Sequence, residues 1–432
     1  MKFAIVTLGC KVNQFESQAM EQLMVERGHT PVKLGEGCDA VIINSCAVTA
    51  ESGRKSRQAV RHCRKAEPLA VIALGGCYAQ TKAPELTDLG ADLLGGSGDR
   101  GKFISDLEAV YLNKSKMTTT DDPTTRRKFE LLPGGSVEGR ARAVLKIEDG
   151  CQNFCTYCII PYLRGPVRSM RLEDIRREAI KLKSDGYGEI VVTGIEISSY
   201  GRDLPGNTSL IDAVREISSA APGVRIHLGS LEPRTAGRDF CAALSCIPLV
   251  CPHFHLSLQS GCDSVLRRMG RRYDTALFYE SVLNLREFFP NCGITTDVIA
   301  GFPGETEEEH KKTLDFLEKC RFSAVHVFPY SRRPGTKASD MPGQVQNGEK
   351  HRRCREISAL AAKMAESFRR EQTGRTLNVL FETYDGGLWH GHTENYLEAA
   401  APGDNLRGMA LPVQITGCNG NILCGEVTTP AV

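Results

Sequence analysis

Cys151, Cys155 and Cys158 stand in the run GCQNFCTYC with the spacing Cys-x3-Cys-x2-Cys. Three thiolates on one short loop can hold three irons of a cubane iron–sulfur cluster and leave the fourth iron without a protein ligand. An open iron can chelate the amino and carboxylate groups of S-adenosylmethionine and pass an electron into its sulfonium. Electron-transfer ferredoxins instead close all four positions with cysteine. A zinc site takes four ligands in paired Cys-x2-Cys form, and no second pair or histidine partner lies nearby. Cys10, Cys46 and Cys77 form a second set, each ending an apolar run: TLGC, INSC and LGGC. One such cysteine alone reads as a small buried hydrophobe. Three at the same place in successive β/α units converge, because open parallel sheets bind ligands beyond the carboxyl ends of their strands. Gly9, Gly75 and Gly76 let the backbone approach closely there. The second set therefore predicts a second cluster with a free iron, so the chain is expected to hold two [4Fe-4S] clusters.

Other candidates follow later strand-like runs. Thr193, Gly194 and Glu196 make a glycine-containing turn ending in an acid, which suits the ammonium group of S-adenosylmethionine. Ser230 and Glu232, in GSLEP, are expected at ribose hydroxyls, and Gln259, in SLQSG, offers an amide with both donor and acceptor. Asp297 opens DVIAGFPGET, a glycine-rich turn into an acidic helix start, and Tyr157 lies between two cysteines of the first set. Singly, these are ordinary turns and caps. Spread over one rim beside a cluster motif, they predict a cradle for S-adenosylmethionine. The remaining cysteines, among them Cys241, Cys246, Cys251, Cys418 and Cys424, are expected to pack as hydrophobes.

The elements that must position these residues are legible as alternating patterns. The chain has 432 residues, enough for several domains. Up to residue 112, FAIVTLG, AVIINS and AVIALGG alternate with helical segments, the β-α-β pattern of an open parallel sheet. Residues 113–140 lose periodicity and read as a linker. From Ala141 to residue 373, six strand-like runs (ARAVLKI, EIVVTG, VRIHLGS, HFHLSLQ, ITTDVIAG, SAVHVFPY) predict a partial (β/α)6 barrel, since a full eight-unit barrel takes about 250 residues. The basic segment 349–371 closes this unit as a helix. Residues 374–432 carry short β-type runs between Gly, Asn and Asp turns, a small all-β barrel. The fold class is thus α/β with a C-terminal all-β module.

A 41% hydrophobic and 25% charged composition is ordinary for a globular protein, and seventeen cysteines suit a reducing compartment, the cytoplasm. The start, MKFAIVTLGC, has too short an apolar run for a signal peptide, and no stretch reaches the roughly 20 apolar residues of a membrane span. A net charge of +2 neither announces nor excludes nucleic acid. Three local hints remain: the basic segment Arg54, Lys55, Arg57, Arg61, Arg64 and Lys65; the helix near Arg352; and Trp389, His390, His392 and Tyr396 in the β module, which suit base stacking or phosphate contact. Nothing suggests an obligate interface, and a monomer is expected.

With both triads placed, the chain resembles the radical S-adenosylmethionine methylthiotransferases over essentially its whole length. The family motif CxxxCxxCIIPxxRG appears as CQNFCTYCIIPYLRG. GCKVNQFES, with Lys11, Val12, Asn13 and Gln14, and NSCAVTAESGRKSRQ look like the branch acting on threonylcarbamoyladenosine 37 beside the anticodon of ANN-decoding tRNA. The resemblance implies an auxiliary cluster at Cys10, Cys46 and Cys77, a radical cluster at Cys151, Cys155 and Cys158, and an RNA-binding TRAM domain at the C-terminus. It implies one S-adenosylmethionine spent on a 5′-deoxyadenosyl radical and another as methyl donor, with an external electron donor and a sulfur donor. Pro166 and Met170, in RGPVRSM, depart from the family's arginine-rich ending and leave the charge of that loop open. Alternative substrates are isopentenyladenosine in tRNA and a ribosomal protein; a non-catalytic iron–sulfur RNA-binding protein is the alternative of another class.

Overall fold

The computed structural model describes residues 1–81, 84–86, 88–134 and 141–428. Its N-terminal unit is a parallel sheet of β1 (Lys2–Thr7), β2 (Thr30–Pro31), β3 (Ala40–Ser45), β4 (Val71–Gly76), β5 (Leu93–Gly95) and β6 (Met117–Thr119), in spatial order β2-β1-β3-β4-β5-β6. Helices α1 (Lys11–Glu26) and α4 (Arg100–Asn113) cover one face, where Met20, Met24, Phe103 and Leu107 pack on Phe3, Ile42 and Leu93. Helix α2 (Ala50–Ala66) covers the other, with Val60 and Cys63 against Val41, Ile43 and Ile72. Strand alternation sends neighbouring residues of β3 to opposite cores, so the strand reads as an unbroken apolar run. The short α3 (Cys77–Gln80) follows β4 directly. The segment expected as a linker from residue 113 is not structureless: it supplies β6 and a 3-10 turn at Pro123–Thr125, while residues 135–140 lie outside the described ones.

All six strand-like runs of the central unit are strands: β7 (Arg142–Lys146), then β10 (Glu189–Thr193), β11 (Arg225–Leu228), β12 (His253–Gln259), β13 (Gly293–Ala300) and β14 (Ala324–Pro329). Between β7 and β10 lies a two-residue ladder, β8 (Glu148–Asp149) with β9 (Arg168–Ser169). The six run parallel as two triplets, β11-β10-β7 and β12-β13-β14, joined by the isolated pair Leu231–Leu256. Helices α5 (Ile160–Arg164), α6 (Leu172–Ser184), α7 (Leu210–Ala220), α8 (Arg238–Ser245), α9 (Asp263–Met269), α10 (Thr275–Phe288) and α11 (Glu307–Cys320) connect them, and α12 (Asn347–Arg370) follows. The principal core lies between the strands and this outer layer, with Phe254, Leu256, Leu258, Val282 and Leu285 among its members. The barrel remains open between β7 and β14.

The C-terminal unit is a closed barrel of β15 (Thr376–Asp385), β16 (Leu388–Thr393), β17 (Glu398–Ala401), β18 (Ala410–Asn419) and β19 (Ile422–Val427), with Val379, Phe381, Val413, Ile415 and Leu423 inside. It caps the N-terminal ends of the central strands: Arg225 donates to the carbonyls of Asn378 and His392, and Arg142 pairs with Glu382 at 2.9 Å. Among the described residues, no helix is long and apolar enough to cross a membrane.

Candidate functional site

Cys10, Cys46 and Cys77 each sit where a strand of the N-terminal sheet gives way to a helix: after β1, after β3 and at the start of α3. The order 2-1-3-4-5 reverses direction between β1 and β3, the switch point where such sheets open a crevice. Chain geometry makes the approach possible. Gly9, at φ +111, presses on Cys46, whose Sγ would stand 3.1 Å from a Cβ there. Gly76, at φ +92, leaves a Cβ only 2.5 Å from the Ser45 carbonyl oxygen. The three thiols lie close enough that their charges act on one another. All seventeen cysteines are free thiols.

The second triad occupies the loop between β8 and α5. Gly150 holds φ +95 against the Pro166 carbonyl, and Phe154 adopts φ +49, so the loop is wound tightly before each cysteine that follows. The Cys158 N–H donates to the Cys155 carbonyl at 2.9 Å. Burial pushes the thiols of Cys151 and Cys158 up to about 12, and that of Cys77 up to about 11, the last despite the Arg164 guanidinium. Such thiols are ligands that deprotonate when a metal replaces the proton. The charge of Cys77 is felt at Cys158, so the two triads lie near one another where the units meet.

A guanidinium attends each triad. Arg271 donates to Cys155 Sγ at 3.2 Å, and Arg164 Nε to Cys77 Sγ at 3.3 Å. Arg164 is fully buried and also bonds Glu16, Asn13 Oδ1 at 3.1 Å and Asp149 at 3.3 Å. Around it, four cations (Arg100, Lys146, Arg164 and Arg168) meet two carboxylates, Glu16 and Asp149. Burial opposes ionisation of both acids, but Arg100, Arg164 and Lys146 hold Glu16 well below its ordinary range, and Lys146 and Arg164 do the same for Asp149. The cluster thus carries buried positive charge in excess, against Cys77. Arg168 answers the question raised by RGPVRSM: it supplies the charge of that loop, donating to the Arg164 and Pro166 carbonyls, while Met170 packs in the core.

The residues expected at the rim divide. Glu196 lies with Cys151, Glu232 and Arg271 near enough for mutual charge effects, and Asn153 donates to it at 3.3 Å. Glu232 is buried and bound by Arg234 through both oxygens. Tyr157 is half-buried against Phe302, beside Arg271 and Cys155. Gln259 holds φ +70 at a bulge that turns the end of β12. Thr193 is a buried strand end and Ser230 is exposed. Asp297 sits below the rim on the inner face of β13, 3.4 Å from His255 Nε2 and close to His326. Gly194 makes room for a residue that sequence reasoning missed: a Cβ there would stand 2.7 Å from Glu148 Oε2. Glu148 is fully buried, accepts from the Glu196 N–H at 2.7 Å, and leaves Oε1 unpartnered among the described residues. Burial holds its carboxyl well above the ordinary range.

Residues 145–317 match the model of the Radical SAM superfamily, and residues 2–95 match that of Uncharacterized protein family UPF0004. The threonylcarbamoyladenosine tRNA methylthiotransferase MtaB of Bacillus subtilis is 35% identical over 95% of this chain and 93% of its own. The Thermotoga maritima enzyme of the same name is 36% identical over 93% and 92%. The chain belongs to the radical S-adenosylmethionine methylthiotransferases. The tRNA-2-methylthio-N(6)-dimethylallyladenosine synthase of Natranaerobius thermophilus, 31% identical over 99% of the chain and 96% of its own, is similar too. The radical S-adenosylmethionine methyltransferase TsrM of Kitasatospora setae, solved with tryptophan and a SAM analogue, shares the fold alone, at TM-score 0.59 and 14% identity over 89% of this chain and 79% of that one.

As in any methylthiotransferase acting on tRNA, a basic surface is wanted, and two of the three sequence hints are in part spent elsewhere. On α12, Arg352 pairs with Glu307, Glu349 and Glu356, and Arg353 is buried on Glu305. Tyr396 and His392 turn inward to the base of the central barrel, where they stack 5.0 Å apart, rather than outward as base platforms. Along α2, Arg54, Arg57 and Arg64 hold Glu51, Glu85 and Asp92; among the described residues, Lys55, Arg61 and Lys65 have no ion pair.

Proposed function

We propose that this enzyme adds a methylthio group to C2 of the adenine in N6-threonylcarbamoyladenosine, beside the anticodon of tRNA. The observation that carries the reading is the pair of cysteine triads, one on the loop after β8 and one at the strand ends of the N-terminal sheet, near enough for Cys77 to act on Cys158, in a chain that aligns over 93–95% of its length with enzymes of that name. Cys151, Cys155 and Cys158 would hold the radical cluster, and Cys10, Cys46 and Cys77 an auxiliary one. The donor sets fit: three free thiols on one loop and three at strand ends of one sheet, with a guanidinium donating to one sulfur of each set. An auxiliary cluster with three thiolates is anionic, and the buried cation excess around Arg164 is the countercharge that such a group needs. When bound, the clusters and two molecules of S-adenosylmethionine supply the electron, the radical, the sulfur and the methyl group.

The chain's own groups bind, orient and shield. Glu196 and Asn153, beside Cys151, are the acceptor and donor for the amino-acid end of S-adenosylmethionine, and Glu232, held by Arg234, is the acceptor for its ribose hydroxyls. Glu148, whose carboxyl burial holds well above its ordinary range, fixes the Thr193–Glu196 turn by accepting from the Glu196 N–H. Arg271 and Tyr273 brace Cys155 from the opposite side, Arg271 reaching Tyr273 Oη at 2.8 Å and the Ser257 carbonyl at 3.2 Å. The C-terminal barrel and the free cations of α2 are the RNA-facing parts, and the enzyme works as a cytoplasmic monomer with external electron and sulfur donors. Nucleoside mass spectrometry of tRNA from a deletion strain tests the reading. Loss of the methylthio-threonylcarbamoyl nucleoside alone, restored by the intact gene, is expected; its persistence with loss of the dimethylallyl analogue overturns the substrate.

A further inference from the structure

The base of the central barrel, its floor, holds a cluster of rings to which the chemistry above gives no role. Tyr396 lies between β16 and β17 at φ +68, a backbone region that a tyrosine occupies only under constraint. That turn carries its ring off the C-terminal barrel and into the base of the central one, 4.6 Å from the His227 ring, 4.7 Å from His253 and 5.0 Å from His392. Two cations attend the same ring. Arg142 Cζ is 5.6 Å from its centroid, and that guanidinium is already paired with Glu382. Lys11 Nζ stands 6.0 Å away, and among the described residues it has no ion pair.

Lys11 comes from the other side of the molecule. It follows Cys10 and begins α1, so one peptide joins the auxiliary triad to a side chain that reaches the floor. Its charge is felt by His227 and His253, which burial first of all keeps neutral. An ammonium group over an aromatic ring, beside neutral imidazoles, with no carboxylate of its own, is a site for an anion.

The substrate named above carries one anionic group besides its phosphates: the carboxylate of the threonine, linked through the carbamoyl to N6. C2 and C6, which carries N6, flank N1 on one edge of the adenine ring, and their exocyclic bonds diverge. With C2 turned toward the triads, the N6 substituent is directed to one side of them, where a cation standing next to Cys10 can meet its carboxylate.

We infer that Lys11 is the specificity residue that pairs with the carboxylate of the threonylcarbamoyl group, with Tyr396 positioning its ammonium. The inference rests on the substrate reading above and gives it a residue. The competing role for Lys11 is that of a strut, a cation seated on Tyr396 to hold two units together.

The test uses reconstituted holoenzyme and two tRNAs, one threonylcarbamoylated and one with the same group capped as its methyl ester. For the unaltered enzyme, kcat/KM falls about 10- to 100-fold on esterification, the scale of one charge-assisted hydrogen bond. Lys11→Gln lowers kcat/KM for the acid by a similar factor and no longer distinguishes acid from ester, while Lys11→Arg recovers part of the discrimination. Uncoupled formation of 5′-deoxyadenosine without tRNA and the iron content stay unchanged. If Lys11→Gln keeps the original acid-to-ester ratio, the inference is overturned and Lys11 is a strut. If the unaltered enzyme thiolates neither tRNA, the substrate reading fails instead. Should Lys11→Gln fail to load iron, Tyr396→Leu carries the test: it raises KM for the acid and leaves the ester unaffected, and an equal effect on both substrates overturns the inference.

Discussion

Arg164→Met removes a buried guanidinium that binds Asn13, Glu16 and Cys77 of the N-terminal unit and Asp149 of the central one. Its first effect is on redox potential. Nε lies 3.3 Å from Cys77 Sγ, which places the charge roughly 6 Å from the centre of a cluster bound there, given metal–sulfur bonds of about 2.3 Å. At an effective dielectric of about 20, a unit charge at that distance is worth about 3 kcal/mol. For one electron, with 59 mV per tenfold, this is on the order of 100 mV. The sign is negative: loss of a cation makes an added electron harder to hold. The second effect is on stability. Glu16 keeps Arg100 and Lys146, and Asp149 keeps Lys146 and Arg168, so neither carboxylate is orphaned. The cost should therefore fall at or below the lower end of the ~3–5 kcal/mol for breaking a buried pair. The assay is an anaerobic redox titration followed by electron paramagnetic resonance, in a Cys155→Ala background that isolates the auxiliary cluster. Arg164→Lys, which keeps the charge without the fork, should shift it far less. A loaded Arg164→Met cluster whose potential moves by less than roughly 20 mV, a factor of about two in the equilibrium constant, would refute the countercharge argument.

Three further outcomes are expected. Cys155→Ala abolishes both cleavage of S-adenosylmethionine and product, whereas Cys46→Ala keeps cleavage and loses thiolation; methylthio product from reconstituted Cys46→Ala would end the division of labour between the triads. Gly76→Ala places a Cβ 2.5 Å from the Ser45 carbonyl oxygen and 2.6 Å from Asn44 Oδ1 at φ +92; strain alone costs about 1–3 kcal/mol, so thermal melting should fall by several degrees and a wild-type melting curve would contradict the packing described. Glu148 is buried with its carboxyl raised above the ordinary 4.5, so its stability is fully present below that pH and is lost as pH rises toward the folded value. Glu148→Gln removes that loss and flattens stability against pH above 4.5, which denaturant midpoints measured across pH would reveal; an unchanged pH profile would show that the acid is ionised.

The strands were legible because parallel strands covered on both faces are unbroken apolar runs, and the six of the central unit appear where those runs lie. The cysteines were legible because a strand end is a fixed place in a β/α unit, so sequence order alone brings Cys10, Cys46 and Cys77 to one sheet edge. Glu148 was not. Its neighbours in sequence form an ordinary acidic pair, and only the missing Cβ of Gly194 shows that the carboxyl is buried under a turn. Arg271 was equally hidden, one basic residue in a run of arginines until β12 and the cysteine loop close around it. Basic composition misled in the opposite direction: Arg352 and Arg353 look free in sequence, yet Glu305 before α11, Glu307 at its start and Glu349 of α12 itself neutralise them. Charge runs report on nucleic acid only after intramolecular pairing has been counted.

The open side of the central barrel gives the segment GCKVNQFES its meaning. An eight-stranded barrel fills its interior with side chains, whereas six strands leave a gap between β7 and β14. The N-terminal unit spans that gap. Glu16 reaches Lys146 of β7 at 3.0 Å, and beyond β14 the Ala50 N–H donates to Ser331 at 2.8 Å while Arg333 donates to the Thr49 carbonyl at 3.2 Å. The first turns of α1 consequently do several jobs at once. Cys10 faces the triad, and Asn13 ties the ends of β1 and β3 by donating to the Leu8 and Ser45 carbonyls. Asn13 Oδ1 and Glu16 bind Arg164, which the cysteine-loop motif delivers from the other unit. Asn13 and Glu16, three residues apart, lie on one side of the helix, and Lys11, two residues before Asn13, lies about 160° around the axis from it. A side chain in that position makes none of the bonds to Arg164, and it is the one whose ammonium stands over Tyr396. Specificity for the N6 substituent can therefore vary at Lys11 while the chemistry beside it stays fixed.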